Sequence, residues 1–255
     1  MTNTETIENK GIIEEMFKAG AHFGYSKSKR HPSMKPLIFG VKNTVEIINL
    51  EKTDEYLTRA KEFVASVAKE GKQILFVGSK NEAREVVKNA ALSVDLPYVT
   101  NRWIGGTITN FSEIKKRIAR LEELTSKREK GELGMYTKKE RLMIDREIEN
   151  LEKHFGGLLP MKQKPSALFV IDSEAESIAV KEADSTGIPI VSLSGSDCNI
   201  KKIDYPVPAN DSSRSSIVFF VDAITSAYKT NFQATPPPSA KPTMASEADA
   251  KKQQA

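Results

Sequence analysis

The chain is poor in the residues that build covalent and metal chemistry. It has one cysteine, Cys198, and three histidines, His22, His31 and His154, in 255 residues. A single cysteine excludes an internal disulfide and fits a reducing compartment. No two histidines stand at metal-ligand spacing, and Cys198 has no CxxC partner, so no metal site is expected. His22, between an amphipathic stretch and Phe23-Gly24, reads as a satisfied structural histidine. No run approaches the ~18 apolar residues that suggest a membrane span. The first residues, MTNTETIENKG, are polar and acidic, unlike a signal segment. Together these absences point to a soluble cytoplasmic protein with no membrane partner.

Phosphate fingerprints are missing as well. A dinucleotide site needs three spaced glycines after a strand, and FVGSKNEA offers one. A P-loop needs Gly-Lys-Ser/Thr after an earlier glycine, but here the order is Gly78-Ser79-Lys80. Asp172 and Ser173 follow a strand-like run, where an α/β enzyme would place chemistry. Ser173 and Glu176 have capping-box spacing, however, and the bland reading is a helix cap. Asp197 has no second carboxylate at hand. No cofactor, small-molecule substrate or catalysis is expected.

What the chain does have is a core and an uneven charge. Hydrophobic residues make up 39%, enough for a globular interior, and the net charge is +4. The stretch from Tyr25 to Val45 contains Lys27, Lys29, Arg30, Lys35 and Lys42 and no acid. Such a loop is suited to phosphate contacts. Apolar runs QILFVG, LPYVT, ALFVID, IPIVSL and IDYPVPA alternate with helical periods, which predicts a parallel sheet covered on both faces. LIFGVKNTVEIINL reads as two strands with a turn at Lys42-Asn43. Ser79/Glu82 and Thr137/Glu140 are further capping-box pairs.

Between the second and third runs of that series, Phe111, Ile114, Ile118 and Leu121, then Ile144, Ile148, Leu151 and Phe155, recur at three- and four-residue spacing. This predicts an antiparallel two-helix coiled coil inserted at 110–155. The sheet domain would then comprise 11–109 and 156–230, after a flexible N-terminus at 1–10. The tail, 231–255, is rich in Pro, Ala, Ser and charge and reads as disordered.

One loop is unusual: NRWIGGTITNF, residues 101–111. Gly105 and Gly106 permit a sharp turn, and backbone amides there could form an anion nest. Trp103 can anchor the corner, and Asn110 can cap the following helix with Glu113 three residues on. Asn101 and Arg102 are free to meet phosphate or protein. Two readings fit equally, a structural corner and an RNA-facing loop. Lys115, Lys116 and Arg117, with Arg120, cluster on the first hairpin helix and fit either RNA, an acidic partner or a solvated face.

AGAHFGY, PLIFGVKNTVEIINLEKT, ILFVGSKNEA, PYVTNRWIGGTITNF, GLLPMKQKPSALFVIDSEAESIAVKEADSTGIPIV and IDYPVPANDSSRSSI, in this order, resemble the bacterial small-subunit ribosomal protein two family. The likeness runs from about Ile12 to Tyr228. It implies a flavodoxin-like α/β/α sheet with a protruding helical hairpin. It also implies binding to small-subunit rRNA and to neighbouring small-subunit proteins, including the large mRNA-binding one. No catalysis or nucleotide is implied. Three departures from the family's common pattern stand out: Tyr25 for a histidine, Arg30-His31-Pro32 for a tryptophan before Asn-Pro, and Gly195-Ser196-Asp197-Cys198 for Asp-Thr-Asn-Cys. The first two fall in the expected RNA-contact region, which includes His31. A nucleotide- or sugar-using enzyme and a protein-only adaptor are the alternatives to an rRNA-binding structural protein.

Overall fold

The computed structural model describes residues 3–232, with side chains from residue 11 onward. Beyond Phe232 the expected disordered tail lies outside the described residues. The first helix, α1 (Asn3–Lys18), starts well before the apolar periodicity at Ile12. It leads into a small antiparallel sheet of β1 (Phe23–Ser26), β2 (Ile38–Lys42) and β3 (Val45–Ile48), ordered β1-β3-β2. The β2–β3 turn uses Asn43 and Thr44, both at positive φ (48° and 67°), one residue later than expected. No alternation marks β1; it is held by pairing to β3, with Phe23 opposite Ile47.

After α2 (Leu50–Lys69) comes a five-stranded parallel sheet: β4 (Ile74–Val77), β5 (Tyr98–Val99), β6 (Ala167–Ile171), β7 (Ile190–Ser194) and β8 (Tyr205–Pro208). Its order is β5-β4-β6-β7-β8. Every residue of β4, β6 and β7 is buried, which is why they read as unbroken apolar runs rather than alternating ones. Pro206 and Pro208 sit in β8, which pairs only with β7; an edge strand tolerates the missing donors.

Three layers result. On one face Phe76 and Phe169 meet edge-on at 5.3 Å. They pack with Val191, Leu193 and Val207 against apolar stripes of α2, α3 (Asn81–Ser93) and α7 (Arg214–Asn231). On the other face Leu75, Val77, Leu168 and Val170 meet Ala179, Val180 and Ala183 of α6 (Ser177–Thr186). The same cluster takes in Trp103, Ile108 and the root residues Phe111 and Phe155 of α4 (Phe111–Glu129) and α5 (Lys138–Phe155). The two stripes expected in 110–155 are therefore helices in mutual contact, cross-linked by Arg120 to Glu147 at 3.2 Å. Their bases are part of the sheet's second covering layer.

Of the capping boxes, Thr137/Glu140 forms as expected. The other two do not. The Ser79 amide donates instead to Glu176 Oε1 at 2.8 Å, tying together the loops after neighbouring strands β4 and β6. Ser173 bonds the Ser194 hydroxyl, and Asp172 Oδ1 accepts the amides of Glu174 and Ala175, each at 3.0 Å.

The chain returns from α5 to the sheet through Gly157, pressed on the edge strand β5. A Cβ there would collide with the Tyr98 carbonyl oxygen and stand 2.7 Å from its ring. Gly157→Ala should therefore lower stability by about 1–3 kcal/mol. Gly134→Ala, where a Cβ meets nothing within 4 Å, should leave it unchanged. Paired thermal melts of the two variants check this.

Candidate nucleic-acid interface

The NRWIGGTITNF loop is an anion nest, and the anion is the protein's own. Glu182, on α6, aims its carboxylate into the loop. Oε1 accepts the Gly106 amide at 2.7 Å and the Trp103 indole N–H at 3.1 Å. Oε2 accepts the amides of Ile108 at 3.1 Å and Thr109 at 3.3 Å, and the Thr109 hydroxyl at 3.3 Å. Gly106 reaches φ +92°, a conformation that residues with a Cβ rarely adopt, and this aims its amide. Burial pushes the Glu182 pKa up, but the bonds from Gly106, Trp103, Ile108 and Thr109 outweigh it and the net shift is downward. The Glu182 carboxylate thus occupies the place in the loop that a phosphate would take in a nucleotide cradle.

Other expectations for this loop divide. Trp103 is buried, as an anchor should be. Asn110 occupies the N-cap position of α4 but makes no side-chain cap; its oxygen accepts from the Ser112 hydroxyl at 3.3 Å. The Glu182 carboxylate already meets the amides just upstream. The Asn101 side chain donates to the Lys153 carbonyl at 2.7 Å, so it ties the loop to the end of α5. Arg102 is exposed and makes no ion pair among the described residues.

The basic loop also sorts into two kinds of residue. Lys27, Lys29, Lys35 and Lys42 are exposed, and none joins an ion pair among the described residues. Lys29 Nζ lies 5.7 Å from the Tyr25 ring centre. Arg30 is different: it donates to Glu46 Oε1 at 3.0 Å, and the Glu46 side chain is wholly buried. Arg30 is thus committed as the counter-ion of a buried acid. His31 Nδ1 accepts the Ser33 amide at 3.2 Å and caps the short turn Pro32–Leu37. His22 is structural but not hydrogen-bonded at Nδ1; it stacks on Phe17 at 4.3 Å, and burial lowers its pKa. On α4, Lys115, Lys116 and Arg117 are exposed, with Lys116 paired to Glu113 at 2.6 Å.

At the carboxyl ends of the strands, where α/β proteins hold ligands, a cluster fills the space. Lys80 Nζ lies 2.6 Å from Asp172, 3.1 Å from Asp211 and 3.2 Å from the Tyr25 hydroxyl. The Tyr25 hydroxyl in turn meets Ser212 Oγ at 2.6 Å. Burial pulls the Lys80 pKa down, but Asp211 and Asp172 drive it up further. Burial and the Asp172 charge raise Asp211 to about 6. Burial also pushes the Cys198 thiol to about 12, leaving it unreactive. Ligand atoms of Asp172, Cys198 and Asp211 lie within 4.8 Å of one another, a spacing a metal could bridge. The Lys80 ammonium already supplies the positive charge there. Asp197 therefore does have carboxylates near it, brought by the sheet from distant sequence.

The fold and the site define a three-layer α/β protein with its own Lys80–Asp172–Asp211 cluster at the strand ends and a loop of exposed, unpaired lysines. The chain belongs to the ribosomal protein S2 family: the model for "Ribosomal protein S2" matches residues 16–231. It is 43% identical over 215 residues to the small ribosomal subunit protein uS2 of Helicobacter hepaticus, covering 84% of this chain and 81% of that one. The uS2 of Nitratiruptor sp. is 43% identical, covering 84% and 80%. That of Roseiflexus sp. is 42% identical over 224 residues, covering 88% and 86%.

Two outcomes test the electrostatics. Glu182→Gln places an amide NH2 against the nest's donors and should cost about 1–2 kcal/mol at pH 7, allowing for partial exposure. Because the folded pKa of Glu182 is lowered from 4.5, its contribution is present above that value and lost as pH falls through the folded pKa. The gap between wild type and variant should close in acid, in denaturant titrations across pH. Asp211 has the opposite sign. Its folded pKa is raised from 3.8 to about 6, so its stabilising effect is full below 3.8 and lost as pH rises to about 6. Relative to Asp211→Asn, the wild type should lose up to about 1.4 kcal/mol per pH unit in that window and level off above it.

Proposed function

We propose that this protein is a structural constituent of the small ribosomal subunit in the cytoplasm, binding small-subunit rRNA and neighbouring ribosomal proteins and supporting translation without catalysis. The observation that carries the reading is family membership across 16–231, joined to a basic loop whose free lysines face outward. In this reading Lys27, Lys29, Lys35 and Lys42 neutralise phosphates, and Arg102 adds a contact beside the loop. Arg30 and His31 shape the loop, and Asn101 fixes the corner. Lys115, Lys116 and Arg117 extend the basic surface along α4. The 2-1-3-4-5 order of the parallel strands, counted in chain order, supports a flavodoxin-like sheet. The inserted α4–α5 pair is an antiparallel coiled-coil hairpin that reaches neighbours, among which the large mRNA-binding protein is one.

Neutralising Lys27, Lys29, Lys35 and Lys42 together to glutamine should weaken rRNA binding and flatten its dependence on log salt. The slope should fall by about 0.7–0.9 for each lost phosphate contact. Arg30→Gln should instead cost stability, because it strands the buried Glu46 carboxylate. Co-sedimentation with the small subunit, followed by binding isotherms at several salt concentrations, gives the answer. An unchanged slope in the quadruple variant would remove the loop from the interface.

A further inference from the structure

We propose that Ser196, in the loop after β7, is a positioning residue for rRNA binding: it fastens the lysine-bearing part of the basic loop to the end of the parallel sheet. The inference rests on the rRNA-binding reading above and deepens it. Ser196 is fully buried and cannot itself meet RNA. Its hydroxyl accepts the Tyr25 amide at 2.8 Å, and its carbonyl accepts the His31 amide at 2.9 Å. The stretch between those two amides carries Lys27 and Lys29, both exposed. One residue thus holds the stretch at both ends, from 171 positions beyond Tyr25 in the sequence. The same two segments meet again further on. Ser33 Oγ accepts the Ile200 amide at 3.3 Å and donates to the Cys198 carbonyl at 3.5 Å.

The lysine stretch needs such a tie because it builds little structure of its own. Lys27–Lys29 is one short turn with no side-chain cap. Its small sheet offers the Lys27 amide only a long bond, to the Thr44 carbonyl at 3.4 Å. The anchor, by contrast, is firm: β7 is buried along its whole length and paired on both sides, to β6 and β8. Close approach is built in as well. A Cβ on Gly24 would stand 3.0 Å from Ser196 Oγ and 3.1 Å from its Cβ, so glycine lets β1 settle on Ser196. A loop that must be ordered at each encounter loses affinity to that ordering; one held beforehand does not. A clamp therefore sets how often the loop is ready, and affinity scales with the ready fraction. It does not set how many phosphates the loop meets, which is what the salt slope counts.

The test titrates the full chain against small-subunit rRNA at several salt concentrations, as wild type, Ser196→Ala, the quadruple lysine-to-glutamine variant and the two combined. Ser196→Ala should weaken binding roughly fivefold, as the loss of one hydrogen bond does, at an unchanged salt slope. In the quadruple background it should change nothing, because a clamp acts through the lysines it holds. Hydrogen exchange at the Tyr25 amide should quicken, with the β6 amides unchanged. Gly24→Ala presses on Ser196 from the opposite side and should repeat the pattern, which supplies an independent variant. An equal loss in both backgrounds marks a purely structural role and overturns the proposal. A lowered slope does the same, as does full affinity despite a freed Tyr25 amide. Unchanged binding and slope in the quadruple variant overturn the rRNA reading of the loop, and the positioning role with it.

Discussion

The rest of the second layer depends on the seat of Glu182 in the corner after β5. One carboxylate takes three backbone amides, an indole N–H and a hydroxyl from the loop that leads into α4. The loop must expose those amides to turn sharply, and buried amides without acceptors are costly. A charged acceptor from α6 satisfies them together and fixes where α4 begins. Trp103 completes the corner by burying its ring beneath the same carboxylate. The direction of the α4–α5 pair is thus set at its base, in the layer that also covers Leu75, Val77 and Val170 of the sheet.

The same logic governs the other buried charges. Glu46 meets Arg30, Glu176 meets the Ser79 amide, and Asp172 and Asp211 share Lys80. Each joins segments distant in sequence. Lys80, in the loop after β4, links to Asp172 at the end of β6 and to Asp211, three residues beyond β8, and through Tyr25 it reaches the strand that leads into the basic loop. In an enzyme of this architecture those strand ends would hold a ligand. Here internal ion pairs occupy them, and the unpaired cations lie on the outside. The architecture alone does not choose between the two uses; the family to which the chain belongs does.

The parallel sheet and its covering helices were legible because burial on both faces leaves unbroken apolar runs, and helices leave a 3.6-residue stripe. The Thr137/Glu140 box was legible because both partners are local. Ser79/Glu82 failed because a more distant acid, Glu176, claims the Ser79 amide. Glu182 left no signal: an acid in KEADSTG reads as a solvated helix position, and spacing does not tell which remote loop will cover it. The partner of Arg30 is hidden from the sequence pattern for a narrower reason. The acid-free stretch ends at Val45, and the acid that holds Arg30 is Glu46, the next residue. Strand pairing puts that residue's side chain beneath the loop. For Lys27, Lys29, Lys35 and Lys42 no such partner exists among the described residues.

The two glycines of the corner illustrate why composition alone misleads about phosphate sites. A Gly pair between strand and helix offers the amides and the freedom that a phosphate cradle uses. Gly106 does adopt the left-handed backbone such a cradle needs, and its amide does bind an anion. The difference lies in who supplies the charge. A nucleotide would bring its own negative charge and leave with it; Glu182 is tethered through α6, so its effective concentration at the nest is high at all times. An external phosphate would have to displace a carboxylate that already accepts five donors. A nest filled this way takes its anion from within the chain. It is a joint, and it converts the recognition chemistry of a phosphate loop into the rigidity a protein needs when its role is to hold its neighbours in place.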